Sequence, residues 1–171
     1  NFPTWMAGIQ QRTETALAAA LPPAELAPAR LHQAMRYSVL GGGKRVRPLL
    51  CHAAGAIFGA DSSVLDTPAI AVELIHAYSL VHDDLPCMDN DVLRRGKPTV
   101  HVQYGQAQAM LAGDAMQALA FEVLTPDDET QMAPALQARL CALLARSAGH
   151  AGMAGGQAID LASIGVALDE R

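Results

Sequence analysis

The sequence predicts an all-α protein organised around one central helix. Hydrophobic residues make up 51% of the chain, only 4% of residues are aromatic, and about a fifth are alanine, a composition that favours closely packed helices over sheets. No segment alternates strictly between apolar and polar residues, so no strand is predicted. The length of 171 residues suits one domain, and we expect residues 1–171 to form a single helical domain.

Proline and glycine delimit the first three predicted helices. A helix over residues 4–20 is ended by Leu21-Pro22-Pro23, because proline cannot continue a helix. A second helix, over about residues 27–40, meets Gly41-Gly42-Gly43, where three glycines make a helix too costly in backbone entropy. Pro48 then lies in the first turn of a third helix that runs to about residue 58.

The central helix is predicted over residues 69–84, after a turn-rich connection at 59–68. Its sequence, AIAVELIHAYSLVHDD, is apolar on almost every side, which is typical of a helix surrounded by core. Pro86 ends this helix, and residues 89–98 are predicted to form a strongly charged loop.

Two further helices complete the predicted bundle. Residues 102–124 form the first of them, stopped by Thr125-Pro126-Asp127-Asp128. Residues 132–162 form the second, which the glycines within 149–156 can bend. Because most connections are short, neighbouring helices are expected to be antiparallel.

Four carboxylates, those of Asp83, Asp84, Asp89 and Asp91, lie within nine residues at the end of the central helix. Such a run is usually a solvated helix end, because the charges repel one another and the helix dipole disfavours anions at a C-terminus. Here the preceding 14 residues look buried, which puts the cluster at the mouth of the core. Oxygen ligands without His or Cys suit Mg²⁺ beside a phosphate-bearing substrate. Calcium is the competing metal, although the spacing of an EF-hand is absent.

Two basic segments accompany the acidic run, Arg94-Arg95-Gly96-Lys97 and Lys44-Arg45-Val46-Arg47. Arginine binds phosphate oxygens bidentately through its planar guanidinium group, so these segments and a metal can together hold a polyanion. The alternative for the first segment is a set of surface ion pairs, each worth less than about 1 kcal/mol. A Walker loop is excluded, because Arg45 replaces the required Ser or Thr and no strand precedes it.

Three other residues are candidates for the same site. His76 lies seven residues, or about two turns, before Asp83 and is therefore on the same helix face, although a histidine satisfied by a core carbonyl is the alternative. Gln157 and Asp160 are three residues apart on one helical face, where they make either a helix–helix contact or a contact with substrate.

The charge balance and the cysteines restrict the classes of protein. Seventeen Asp+Glu against 12 Lys+Arg give a net charge of -5, which argues against a nucleic-acid partner. We expect no membrane span, because no run of about 18 apolar residues occurs, and no signal peptide, because the N-terminal segment lacks the basic and apolar regions of one. The three cysteines are far apart and odd in number, so we expect free thiols in a reducing cytoplasm.

Four stretches of the chain resemble the short-chain trans-prenyltransferases, specifically the bacterial-type farnesyl and geranyl diphosphate synthases. They are GGGKRVRPLL (41–50), ELIHAYSLVHDDLPCMDNDVLRRGKPTVH (73–101), LAGDAMQALAF (111–121) and GGQAIDL (155–161). The second is long and specific, since DDx₄D, the RRGKPT run and His76 are all in register. Asn90, where many relatives carry Asp, departs from the pattern but lies between the ligand positions.

The resemblance implies the isoprenoid-synthase helical bundle and the head-to-tail condensation of isopentenyl diphosphate with dimethylallyl or geranyl diphosphate. It implies that Mg²⁺ held by Asp83 and Asp89, with Asp84 alongside, grips the allylic diphosphate, which Arg94 also contacts. It further implies an isopentenyl-diphosphate site, to which belong Lys44, Arg47, His76 and Arg95. A homodimer is expected, since the family is usually dimeric.

The resemblance covers only the first part of the family pattern. Family members continue with a Lys-Thr-Gly segment and a second DDxxD motif, so we expect this chain to be the N-terminal part of a prenyl synthase bundle and to be inactive by itself. The alternative from another class is a non-catalytic regulatory or anion-binding subunit that lacks the second motif. A terpene cyclase is disfavoured, because GGGKRVRP and RRG would serve a second diphosphate.

The length of the product is predicted from Tyr78 and Ser79. If Asp83 holds the diphosphate, the prenyl tail runs back along the same helix, and Tyr78 lies five residues or about 7.5 Å deeper. Ser79 is small, whereas Tyr78 is bulky enough to act as a floor, and in similar relatives this arrangement goes with C15 products. Farnesyl diphosphate is the predicted product, geranyl or geranylgeranyl diphosphate is the alternative, and Tyr78 as an ordinary core residue is the competing interpretation.

Overall fold

The computed structural model describes residues 1–128 and 132–166, and the all-α prediction is confirmed for them. These residues form eight helices and one short hairpin: α1 Phe2–Ala20, α2 Ala29–Val39, α3 Val46–Ile57, α4 Ser62–Asp83, β1 Leu93–Arg94, β2 Lys97–Pro98, α5 Val100–Tyr104, α6 Gln106–Glu122, α7 Pro134–Ala148 and α8 Met153–Ala162.

Helix α4 is the centre of the bundle, as predicted. It packs mainly against α6 and α3, and α1 and α2 also contact it. Leu74 is fully buried, and Ile70, Ile75 and Val81 are nearly so, each contributing about 1.5–3 kcal/mol of hydrophobic stabilisation. By length and composition alone, α4 could cross a membrane, and it is the one helix of the described residues that could. In the structure this helix is packed against α3 and α6, as the core helix of a bundle is.

The predicted connection over residues 59–68 was wrong, because α4 begins seven residues earlier than the sequence pattern indicated. The carboxylate of Asp61 caps the new start, accepting a 2.7 Å hydrogen bond from the backbone N–H of Ser63. Pro68 is therefore a residue within the helix, not the end of a loop. Leu65 of this added segment packs against Gly55 of α3, where a Cβ would lie 2.3 Å from the leucine side chain.

The two long C-terminal helices of the prediction are each divided in two. The segment 102–124 is α5 and α6, separated at Gly105, whose φ of 93° and ψ of 155° suit glycine alone among the amino acids. The segment 132–162 is α7 and α8, separated between Ala148 and Met153, so the glycines there break the helix instead of bending it.

The absence of strands was also wrong, at one place. Leu93–Arg94 pairs antiparallel with Lys97–Pro98 across a two-residue turn. Both turn residues have positive φ, 52° at Arg95 and 76° at Gly96, which is the backbone of a type I′ hairpin. The charged loop therefore contains a defined hairpin that directs Arg94 and Arg95.

A stability prediction follows from Gly113 of α6, which packs against His82 near the end of α4. A Cβ at Gly113 would lie 2.0 Å from Nε2 of His82, and the same nitrogen lies 3.0 Å from the carbonyl oxygen of Met110 in a hydrogen bond. Gly113→Ala should displace the ring and break this bond, lowering the free energy of unfolding by about 1–3 kcal/mol. Urea unfolding followed by circular dichroism measures the change.

Gly8→Ala is the matched control, because Gly8 lies within α1 with nothing within 4 Å of the new Cβ. It should stabilise the protein by up to about 1 kcal/mol through helix propensity. If both variants are stabilised equally, the contact between Gly113 and His82 does not contribute to the free energy of unfolding.

Candidate active site

The acidic loop folds back onto the end of α4. The backbone N–H of Asp89 donates to the carbonyl oxygen of Asp83 at 2.8 Å, and that of Asn90 donates to the carbonyl oxygen of Leu85 at 3.1 Å. Asn90 has a φ of 55°, a left-handed conformation that asparagine tolerates better than most residues. The reversal brings exposed Asp89 next to half-buried Asp83.

The ionised carboxylate of Asp83 is disfavoured by its surroundings in this loop. Burial, followed by the charge of Asp89, raises the pKa of Asp83 above its usual value, while Arg94 opposes the shift. Gln157 of α8 reaches across, and its Nε2 donates to Oδ1 of Asp83 at 2.7 Å. Gln157 thus makes the helix–helix contact that the sequence left open, and it makes that contact at the site itself. Asp160 is exposed on the same helix.

Asp84 is buried and paired with Arg94. Nη2 of Arg94 donates to Oδ1 of Asp84 at 2.7 Å, and Nε lies 3.0 and 3.1 Å from the two carboxylate oxygens. The same guanidinium lies 3.7 Å from Asp91. The pair neutralises the most buried carboxylate of the cluster, and the role of Asp84 beside a metal and that of Arg94 on a diphosphate stay predictions.

The donor chemistry of Asp83 and Asp89 fits Mg²⁺. Both supply carboxylate oxygens, and a divalent cation would relieve the repulsion that raises the pKa of Asp83. Within residues 1–128 and 132–166, no three His, Cys, Asp or Glu side chains converge into a complete metal site. Mg²⁺ at these two carboxylates would therefore be completed by water and substrate oxygens, as is usual for this ion.

The glycine turn after α2 is held against the hairpin. Gly41 and Gly42 have φ of 110° and 94°, which favour glycine. Nη1 of Arg95 donates to the carbonyl oxygen of Gly42 at 2.5 Å. A Cβ at Gly43 would lie 2.8 Å from the same nitrogen, so only glycine lets the guanidinium approach this closely. The sequence identified the bend but not the arginine that packs on it.

The basic residues predicted for one anion do converge. Lys44, Arg47, His76 and Arg95 line one pocket. Gly43, Val46 and two residues described below complete its lining. In the part of the chain that the structure describes, none of the three cations forms an ion pair with a carboxylate. This cationic pocket therefore presents uncompensated positive charge to an incoming anion.

His76 is half-buried in the wall of the cationic pocket. Burial, followed by the charge of Arg47, lowers the pKa of His76, and Arg95 and Arg94 act in the same direction. Glu73 alone opposes them. The imidazole is consequently neutral at pH 7 in the absence of an anion.

The two further residues of this pocket, Arg45 and Glu73, were not recognised as site residues from the sequence. Arg45 is only 4% exposed, and its guanidinium forms ion pairs with Glu14 and Glu73. Glu73 is 3% exposed. The available signal was a single acidic residue in the otherwise apolar run AIAVELIH, which requires a buried partner.

The residues predicted to limit chain length lie on the inner part of α4. Tyr78 is 9% exposed, and its ring meets that of His82 edge-on with the ring centroids 5.7 Å apart. The hydroxyl of Ser79 donates to the carbonyl oxygen of His76 at 2.9 Å. Their role in product length stays a prediction.

Comparison with known proteins supplies the family. Residues 28–170 match the family model described as polyprenyl synthetase. The chain is 46% identical over 161 residues to farnesyl diphosphate synthase of Escherichia coli (strain K12), covering 94% of this chain and 54% of that protein. It is 49% identical over 163 residues to the chloroplastic geranylgeranyl pyrophosphate synthase 9 of Arabidopsis thaliana, covering 95% and 45%. The chain thus spans about half the length of the curated relatives it matches.

A solved structure gives the same result for the fold. The apo crystal structure of an FPP/GFPP synthase from Zymomonas mobilis superposes with a TM-score of 0.90 at 47% sequence identity. The match covers 98% of this chain and 60% of that one. The helical arrangement described above is therefore that of a prenyl synthase over the part both chains share.

We predict that pyrophosphate binds the cationic pocket more tightly as the pH falls. An anion beside His76 raises the pKa of the imidazole above its lowered value, so binding takes up a proton and strengthens below neutral pH. The affinity for inorganic pyrophosphate is measured by calorimetry without divalent metal. Between pH 8 and pH 5.5, the ratio of the wild-type affinity to that of His76→Gln should rise about tenfold.

The protonation of pyrophosphate itself is common to both proteins and cancels in this ratio. Parallel affinity curves for wild type and His76→Gln would exclude His76 from the anion site.

Proposed function

The chain belongs to the polyprenyl synthetase family, and on that premise we propose that the complete protein condenses isopentenyl diphosphate head-to-tail with dimethylallyl or geranyl diphosphate. The observation that carries this proposal is the arrangement of two unlike anion sites along one helix. Asp83 ends α4 beside a second carboxylate, and His76, two turns earlier on the same face, lies in the cationic pocket. Two diphosphates bound in these two ways would lie side by side.

The residues suggest which substrate each site takes. The cationic pocket can hold a diphosphate without metal, and we assign it to isopentenyl diphosphate through Lys44, Arg47, His76 and Arg95. The carboxylates repel an anion unless a cation intervenes, and we assign them to the allylic diphosphate. Arg94, which pairs with Asp84 in the acidic cluster, is assigned to the allylic diphosphate as well.

The proposed cofactor is Mg²⁺, held by Asp83 and Asp89 with Asp84 alongside. Bound there, it would stabilise the negative charge that develops on the leaving diphosphate as the allylic C–O bond breaks. The chain's own contribution is to hold the isopentenyl double bond against the resulting allylic carbon, so that a new C–C bond forms. The proton then lost from the isopentenyl unit is proposed to go to the departed diphosphate.

Farnesyl diphosphate is the proposed principal product, with geranyl or geranylgeranyl diphosphate as the alternative. The farnesyl assignment is supported by buried Tyr78 above the DDx₄D motif and by the similarity to bacterial farnesyl diphosphate synthases. We also propose a homodimer in the cytoplasm, where the free thiols of Cys51, Cys87 and Cys141 would remain reduced.

The direct test is prenyl transfer by the protein expressed from its complete reading frame. With Mg²⁺, isopentenyl diphosphate and geranyl diphosphate, it should form farnesyl diphosphate, and no transfer above background would contradict the proposal. The 171-residue chain alone is expected to show no transfer, because the family pattern includes a second aspartate motif that this sequence does not contain.

Asp83→Ala in the complete protein should lower turnover by several orders of magnitude while leaving the helix content unchanged. A ligand to a cation on a developing charge contributes several kcal/mol to transition-state stabilisation. Asp127→Ala removes an exposed carboxylate in the segment after α6 and is the matched control, expected to keep wild-type turnover. If Asp83→Ala keeps more than about a tenth of wild-type activity, the residue does not have this role.

Tyr78→Ala should lengthen the product toward C20 and beyond, because it removes the bulky ring that lies about 7.5 Å deeper along α4 than Asp83. Chromatography of the products by chain length measures the shift. Tyr104→Ala, which removes a ring of α5 that packs on Tyr37, is the control and should leave product length unchanged. An unchanged product from an active Tyr78→Ala enzyme would move the limit elsewhere, for example to Leu74 or Ile75.

A further inference from the structure

We propose that Arg45 and Glu73 position the cationic pocket for isopentenyl diphosphate, acting through the turn that carries Lys44 and Arg47. This inference rests on the proposed function, because it names which of the two substrates should be affected. It assigns a role to a buried ion pair between α4 and the residue that precedes α3.

The backbone of Arg45 sets the direction of the turn. Arg45 precedes α3 with φ 49° and ψ 40°, a left-handed conformation that an L-residue with a side chain adopts only at a cost. Lys44 is its immediate neighbour, and Arg47 follows in the first turn of α3. A different conformation at Arg45 would therefore reorient both cations relative to each other.

Three hydrogen bonds from one guanidinium hold this conformation. Nε donates to Glu14 of α1 at 2.7 Å, and Nη1 donates to Glu73 of α4 at 2.8 Å. Nη2 donates to the carbonyl oxygen of Val39, the last residue of α2, at 2.6 Å. The guanidinium thus fastens the turn to three helices at once, a task for which the single ammonium of lysine lacks the planar geometry.

Glu73 links this pair to the pocket itself. Its carboxylate is buried, and Oε2 has no hydrogen-bond partner within the described residues. Glu73 and Arg45 both line the cationic pocket, and His76 lies one turn beyond Glu73 on α4. The negative charge of Glu73 favours the protonated form of His76 against the nearby arginines. Glu73 therefore acts on the pocket through the turn that its hydrogen bond with Arg45 holds.

A comparison of three substitutions in the complete protein tests the proposal. Arg45→Lys removes the planar guanidinium group that makes three hydrogen bonds. Glu73→Gln keeps an oxygen that can accept from Arg45 but removes the negative charge of residue 73. Arg12→Lys is the matched control, because Arg12 forms an equally short bidentate pair with Asp66 that also joins α1 to α4 but lies outside the pocket. KM for each substrate, kcat and thermal midpoint are measured for all three.

We expect Arg45→Lys and Glu73→Gln to raise KM for isopentenyl diphosphate by about tenfold or more, with KM for the allylic substrate within about twofold of wild type. Arg12→Lys should change neither KM, whatever its effect on the thermal midpoint. If the two test variants do not fold, Glu14→Gln, which alters the partly exposed partner of Arg45, should raise the same KM by about two- to fivefold.

Equal changes in both KM values, or no change in either for a folded variant, would overturn the positioning role. If the wild-type protein shows no prenyl transfer, that result would instead contradict the proposed function. In that case, calorimetry with inorganic pyrophosphate in the absence of metal still decides the inference. Binding about tenfold weaker in Glu73→Gln than in Arg12→Lys supports it, and equal binding overturns it.

Discussion

The ion pair between Asp84 and Arg94 is the interaction on which the geometry of the site depends. Asp84 is the C-cap residue directly after the central helix and is only 3% exposed. A buried charge of this kind is costly unless it is paired and hydrogen-bonded. Three contacts of 2.7–3.1 Å from Arg94 meet this requirement. They also fix where the hairpin lies. Arg95, the next residue, can then reach the carbonyl oxygen of Gly42 and close the cationic pocket.

The fold leaves two clusters of like charge with their repulsion unrelieved. Burial and Asp89 raise the pKa of Asp83. Burial and the cations of its own cluster, Arg47 first, lower the pKa of His76. Each cluster is therefore suited to a ligand of the opposite sign, the carboxylates to a metal ion and the basic residues to an anion. The central helix bears Asp83 of one cluster and His76 of the other. Under the proposed function it would hold the two diphosphates at a fixed separation, as their condensation requires.

The sequence predicted those parts of the fold that follow from local patterns. A run that is apolar on every side identified α4 as the core helix, and Pro48 marked the start of α3 correctly. The start of α4 was misplaced because the cap at Asp61 outweighs the cost of Pro68 within the helix. The hairpin was missed because its turn is Arg95-Gly96, whereas the usual sequence signal for a type I′ turn is Asn-Gly or Asp-Gly.

The residues of the site came mainly from the family resemblance, and their convergence required the fold. Arg45 and Glu73 are 28 residues apart in the chain, and no local pattern pairs them. The most direct test of two unlike anion sites is calorimetry of inorganic pyrophosphate binding to the complete protein, with and without Mg²⁺. We expect one metal-independent site that Arg47→Ala abolishes and one Mg²⁺-dependent site that Asp89→Ala abolishes. A single class of sites, weakened equally by both substitutions, would contradict the presence of two distinct diphosphate sites.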